Sequence, residues 1–125
     1  MGLFSGETKN SSLQENRKYH AEFSQLLVDG EIIEAGFLVA RDTFLFTNKR
    51  LILIEIQGVS GRQIEYLSIP YTTIMKFSVQ TGGSFDLNAE LKLWLGNETI
   101  PLEKKFNNDV SIYDVQKVLA SHVLK

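Results

Sequence analysis

Cysteine is absent from this 125-residue chain. That absence excludes disulfide staples, thiol nucleophiles, iron–sulfur ligation and thiolate zinc sites together, and it fits a reducing compartment. Histidine is nearly as scarce. His20 and His122 stand far apart and form neither an HxH nor an HExxH spacing, so neither a metal nor another cofactor is expected. Long apolar runs are also missing: the longest near the middle is Leu51-Ile52-Leu53-Ile54, against the roughly 20 residues of a membrane-spanning helix. The opening Met1–Gly6 has no basic stretch leading into an apolar core, so it does not read as a secretory signal. Gly6 also occupies the place where the myristoylation pattern needs Ser or Thr. Nor is there an excess of one charge. With 13 Lys and Arg against 15 Asp and Glu, the net charge of −2 excludes a protein that coats nucleic acid or anionic membrane by charge alone. Only 9 Gly and 2 Pro rule out a collagen-like or low-complexity chain.

What remains is ordinary globular composition, 43% hydrophobic and 22% charged, at a length that suits one core. Residues 11–28 read as a helix. Ser12 and Glu15 have capping-box spacing, Tyr19, Phe23, Leu26 and Leu27 make one apolar stripe, and Gly30 is a natural stop. From about residue 32 the period changes to two, and turn signals then divide the chain into seven short strands. Asn48-Lys49, Gly58–Gly61 and Gly96-Asn97 are turns, and Pro70 ends a strand. The sixth strand covers 90–95 and the seventh 99–103. A last helix starts near residue 109, with Asn107, Asn108 and Asp109 offering its cap. Ile112, Val115, Leu119 and Val123 form its buried stripe.

The fold class is therefore mainly β. A seven-stranded antiparallel barrel or sandwich is capped by a C-terminal helix and preceded by an extra N-terminal one. Residues 1–29 form the N-terminal extension and helix, and 30–125 the domain proper.

The segment 41–52, Arg-Asp-Thr-Phe-Leu-Phe-Thr-Asn-Lys-Arg-Leu-Ile, resembles the RDxxxFTNKRLI signature of the bacterial pleckstrin-homology family. Gln57-Gly58 with Gly61, the run Glu65–Tyr71, and the stretches 77–81 and 85–94 resemble that family's following blocks. The resemblance covers about residues 30–124. It implies a pleckstrin-homology-like fold and a homo-oligomeric ring, commonly pentameric, and it implies no known activity.

Two groups of residues are candidates for contact. Thr47-Asn48-Lys49-Arg50 is the densest basic spot, and Arg41, Lys49, Arg50 and Arg62 could together meet an anion or a partner. The favoured reading of the hairpin is structural, with Arg50 paired to a nearby acid such as Asp42. The four residues Leu51, Ile52, Leu53 and Ile54 are apolar on both faces of one strand, so something must cover the outer face: the N-terminal helix, another subunit, or both. With the outward Trp94 they are the candidate oligomer contacts.

Other motifs dissolve. Thr81-Gly82-Gly83-Ser84 lacks P-loop spacing, Asp86 and Glu90 lack EF-hand alternation, and no GxSxG elbow occurs. Glu31 and Glu34 read as solvated. The expectation is a cytoplasmic, non-enzymatic, oligomeric binding or scaffold module whose partners are its own copies and an unidentified protein. A membrane-surface adaptor for anionic headgroups is the alternative, and a small-molecule carrier using the barrel mouth a weaker one.

Overall fold

A computed structural model of the chain describes residues 13–39, 42–59, 63–82, 89–106 and 110–124. Helix α1 (Leu13–Phe23) runs into a single 3-10 turn, Ser24–Leu26. Strands β1 (Ile33–Val39), β2 (Asp42–Thr47), β3 (Arg50–Gln57) and β4 (Gln63–Pro70) follow. A 3-10 turn at Tyr71–Thr73 leads to β5 (Ile74–Thr81), β6 (Ala89–Leu95), β7 (Leu102–Phe106) and helix α2 (Ile112–Val123). Every strand pairing is antiparallel and sequential, giving a four-stranded sheet β1-β2-β3-β4 and a three-stranded sheet β5-β6-β7.

The alternation of residues along each strand sorts them between two apolar clusters. Ala35, Phe37, Phe44, Phe46, Leu51, Leu53 and Ile69 face inward, where they meet Leu91, Leu93 and Phe106 of the second sheet. The Phe44 and Phe106 rings join the two sheets with centroids 4.9 Å apart. Helix α2 closes this core with Ile112, Val115, Val118 and Leu119. The second cluster lies on the opposite face of the four-stranded sheet. Ile33, Leu45, Ile52 and Ile54 pack there against Tyr19, Phe23 and Leu27 of the N-terminal segment. A register shift between Ile33 and Ala35 explains how Ile33 joins this outer face while Ala35 points into the core.

The close approach of α1 needs a glycine. A Cβ atom on Gly36 would stand 2.5 Å from Cε2 of Tyr19, so the bare backbone of β1 is the seat for that ring.

Three expected boundaries move. The first helix stops at Phe23, not near 28, because the Leu26 carbonyl and the Val28 N–H are taken by side chains farther along the chain. Gly30 does adopt a left-handed φ of 79°, but it serves the turn that carries the chain into β1. The seventh strand is Leu102–Phe106 in place of 99–103, since Phe106 completes the core. Helix α2 begins at Ile112, and its cap is Ser111, whose Oγ accepts from the Asp114 N–H at 3.3 Å. The residues expected to cap it, Asn107, Asn108 and Asp109, lie outside the described residues, as does Ser12 at the first helix.

Leu119 is fully buried at the centre of the α2 stripe, and Lys117 is exposed on the other side. Leu119→Ala should cost about 2–5 kcal/mol through lost burial and a cavity. Lys117→Ala should change stability by no more than about 0.5 kcal/mol. Urea unfolding of the two variants checks this, and equal midpoints would mean that α2 docks through another face.

Candidate functional site

The β2–β3 hairpin is where sequence placed the densest basic charge, and its turn is held by side chains. Thr47 Oγ accepts the backbone N–H groups of Lys49 and Arg50, each at 3.0 Å. Asn48 reaches back to the chain before β1: its Oδ1 accepts from Ile32 N–H at 2.7 Å and its Nδ2 donates to the Gly30 carbonyl at 3.0 Å. Asn and Thr suit such a turn because short polar side chains can bond nearby backbone.

Arg50 spends its guanidinium on the same tie. Nε donates to Glu31 Oε2 at 2.8 Å and Nη2 to Glu31 Oε1 at 3.0 Å, the bidentate geometry for which guanidinium and carboxylate are matched. Nη2 also donates to the Leu26 carbonyl at 2.6 Å, and Nη1 to Ser68 Oγ on β4 at 2.8 Å. Glu31 additionally accepts from the Thr47 hydroxyl at 2.7 Å and from Val28 N–H at 3.1 Å. Glu31 is thus only 5% exposed, and not solvated as its place at a junction suggested. Its acid partner role also corrects the expectation for Arg50, which pairs with Glu31 and not with Asp42. Desolvation by burial pushes the Glu31 carboxyl upward, but the bonds from Arg50, Thr47 and Val28 together with the Arg50 charge outweigh it and hold the pKa at about 2.

Glu34 is tied as well. Its Oε1 lies 2.7 Å from Nε2 of His122 at the end of α2. The His122 ring stacks on Tyr71 with centroids 4.2 Å apart and planes 3° from parallel. Tyr71 in turn donates its hydroxyl to the Thr47 carbonyl at 2.7 Å. Burial, reinforced by the charges of Glu34 and Glu31, holds its phenol above the ordinary range. Farther along the inner face, Glu55 on β3 forms an ion pair with Lys104 on β7, and Gln57 donates to Glu65 at 3.2 Å. These polar residues mark where the inter-sheet core gives way to water.

Of the candidate anion contacts, Lys49 is exposed at the hairpin tip and Arg50 is committed to Glu31. Arg41 and Arg62 lie outside the described residues, as does Asp86. Among the described residues no group of three or more His, Cys, Asp or Glu could hold a metal ion. A depression lined by Asn97, Glu98, Thr99 and Ile100 is open to solvent at the β6–β7 turn. No helix of the described residues is long and apolar enough to cross a membrane.

The candidate oligomer contacts Leu51, Ile52, Leu53 and Ile54 are all buried within the single chain. Leu51 and Leu53 belong to the inter-sheet core, and Ile52 and Ile54 lie in the cluster that α1 covers. The N-terminal segment thus supplies a cover for the outer face of this strand. Trp94 is half-buried on the outer face of the second sheet, and Lys76 Nζ sits 4.8 Å from the centroid of its ring.

Sequence reasoning missed a different surface. Across the outer face of the four-stranded sheet the register aligns Leu38, Thr43, Ile54 and Tyr66 in one row, with Ile56 opposite Ile64 beside it. Leu38 is 47% exposed, Tyr66 45%, Ile64 46% and Ile56 36%. These residues lie at the end of the sheet away from the Ile33–Leu27 contact with the N-terminal segment. The signal was present in the alternation of Ile64 and Tyr66 with Gln63 and Glu65. It was hidden because Glu55, Gln57, Gln63 and Glu65 turn inward, reversing the usual pattern at this end.

Two antiparallel sheets of four and three strands, closed by a C-terminal helix, define a pleckstrin-homology-like domain, here with an added helix over the larger sheet. A family model described as the bacterial PH domain matches residues 2–123, and the chain belongs to that family. It is similar to the uncharacterized protein YjqA of Bacillus subtilis (strain 168), at 45% identity over 122 residues, spanning 97% of this chain and 98% of the relative. Among solved structures, the pleckstrin homology domain from Shewanella amazonensis SB2B superposes with a TM-score of 0.83 at 42% identity, over 92% of this chain and 93% of that one. A pleckstrin-homology-domain protein from Shewanella loihica PV-4 gives 0.80 at 38% identity, over 96% of this chain and all of that one (100%).

The Glu31 tie yields a pH-dependent prediction. Its folded pKa of about 2 lies below the ordinary 4.5. The stability it contributes is therefore complete above pH 4.5 and is lost as the pH falls toward 2, in total about 3 kcal/mol. Glu31→Gln should cost about 3 kcal/mol at pH 7, at the low end for a broken buried pair because Arg50 keeps some contact with water. Urea unfolding at pH 7 and near pH 2 should show the difference between variant and parent closing at the acid end.

Proposed function

We propose that this chain is a non-catalytic binding module that self-associates through the outer face of its four-stranded sheet and presents repeated copies of one surface to a protein partner. The observation that carries this reading is the exposed apolar row of Leu38, Ile56, Ile64 and Tyr66. Bare aliphatic and aromatic side chains on one sheet face favour burial, and aromatic anchors suit interface centres. The occupant of this face is a second copy of the chain. The row continues an apolar face already covered in part by the chain itself, and the family resemblance implies a homo-oligomeric ring. The row supplies anchors and not the whole area, since a stable interface buries on the order of 800 Å² per partner. A ring would then multiply weak contacts to a partner through avidity.

The non-catalytic reading rests on how the titratable groups are used. Glu31 with Arg50, Glu34 with His122, and Glu55 with Lys104 are each paired in a tertiary tie. No nucleophile, base and oxyanion donor converge among the described residues, as a reaction centre requires. The headgroup-binding alternative loses Arg50 to Glu31, which leaves Lys49 as the described cation of that set. A free lysine near an anionic surface contributes only about 1 kcal/mol.

Light scattering at micromolar concentration should give a mass several times the 14.2 kDa of one chain. Ile64→Glu and Tyr66→Glu should shift it toward one chain while leaving the far-ultraviolet spectrum intact, because a charge at these half-exposed sites is tolerated in the monomer but not in a dry interface. A 14.2 kDa parent species would overturn the proposal.

A further inference from the structure

The contact between α1 and the sheet has an unusual fastening. His20 Nε2 lies 2.9 Å from the backbone nitrogen of Ile33, the first residue of β1. A backbone N–H can only donate, so Nε2 must accept, and the ring holding α1 in place must be neutral. Protonation converts Nε2 into a donor aimed at another donor, which replaces a hydrogen bond with a repulsion. The rest of the helix seat is apolar: Tyr19 over Gly36, with Phe23 and Leu27 over Ile33, Leu45, Ile52 and Ile54.

The chain just beyond α1 is fixed by other means. Arg50 holds the Leu26 carbonyl and Glu31 holds the Val28 N–H. Glu31, with its pKa at about 2, stays ionised through the range in which imidazoles titrate. The 3-10 turn Ser24–Leu26 thus joins a titratable fastening to a fixed anchor.

We propose that α1 is a pH-gated lid on the outer face of the four-stranded sheet, latched by neutral His20, hinged at Ser24–Leu26, and released at mildly acid pH. Release uncovers Leu45 and Ile52, which join Leu38, Ile56, Ile64 and Tyr66 in one larger apolar face.

The charged groups around the latch do not reproduce this behaviour. On α1 itself, Arg17, Lys18 and Glu22 are exposed. On the segment entering β1, Asp29 is exposed and Glu31 is engaged by Arg50, and on β1 itself Glu34 is engaged by His122. On the neighbouring hairpin, Lys49 is exposed. His122, the chain's other histidine, faces Glu34 on β1 at 2.7 Å. That nitrogen faces a carboxylate acceptor where His20 Nε2 faces a backbone donor, so a charge on the His122 ring would fasten α2 to β1, the opposite sign from His20.

Only the fate of the uncovered face rests on the self-association proposed above; the latch itself does not. The experiment is amide hydrogen exchange on the full chain, expressed as protection factors, at about pH 7.5 and about pH 5, on either side of the imidazole range. The parent should lose at least tenfold in protection at the Ile33 amide and along α1 at the lower pH. His20→Gln keeps an acceptor that cannot protonate and should show equal protection at both values, and His122→Gln should behave as the parent does. Unchanged protection in the parent, or an equal fall in His20→Gln, would overturn the proposal. If Gln cannot hold the bond and protection is low at both values, the parent's titration decides alone. Light scattering on the same samples separates the two ideas. A failed latch leaves protection independent of pH at any mass, and failed self-association leaves the mass at one chain while protection still falls.

Discussion

Strand β3 lies inside the four-stranded sheet and carries four consecutive apolar residues, so that sheet must be covered on both faces. Leu51 and Leu53 fix one cover, the second sheet with α2, and Ile52 and Ile54 fix the other, α1. Each cover then imposes its own local demands. The inner one needs Phe44 against Phe106 and the α2 stripe. The outer one needs a backbone without a Cβ at Gly36, a register shift that turns Ile33 outward, and a chain path that brings α1 back across β1. The Glu31–Arg50 tie sets that path by joining the segment after α1 to the β2–β3 hairpin and, through Ser68, to β4.

That tie also changes what the basic hairpin is for. Four polar residues in a row at a turn invite comparison with headgroup-binding loops of pleckstrin-homology domains. In this bacterial PH domain family member, three of the four are consumed inside the chain: Thr47 by Glu31 and the turn amides, Asn48 by the backbone of 30–32, and Arg50 by Glu31. Charge that is spent on a buried carboxylate is not available to a ligand without breaking a pair whose loss costs several kcal/mol.

The strands and α2 were legible because period-two alternation and one amphipathic stripe are local signals. Leu91 and Leu93, and Val115 with Leu119, are buried as their spacing requires. The two-faced strand was legible too, and it correctly demanded a second cover. The features that escaped depend on distant partners. Glu31 looked solvated because its partner is 19 residues away, and the helix end near Phe23 depends on the same bond. The seventh strand was misplaced because Phe106 is claimed by Phe44 across the core. The apolar row at Leu38, Ile56, Ile64 and Tyr66 exists only once the pairing register is known, since its members come from β1, β3 and β4.

The central claim is that this row is buried between copies of the chain. Because the chain has no cysteine, one can be introduced as a clean reporter, small and apolar enough to sit in an interface. Thiol-labelling rates of Tyr66→Cys and Lys117→Cys, measured in the native protein and normalised to the rates in denaturant, test the claim directly. The account predicts that the thiol at position 66 reacts at least tenfold more slowly than the one at position 117. Equal rates at the two positions would contradict it.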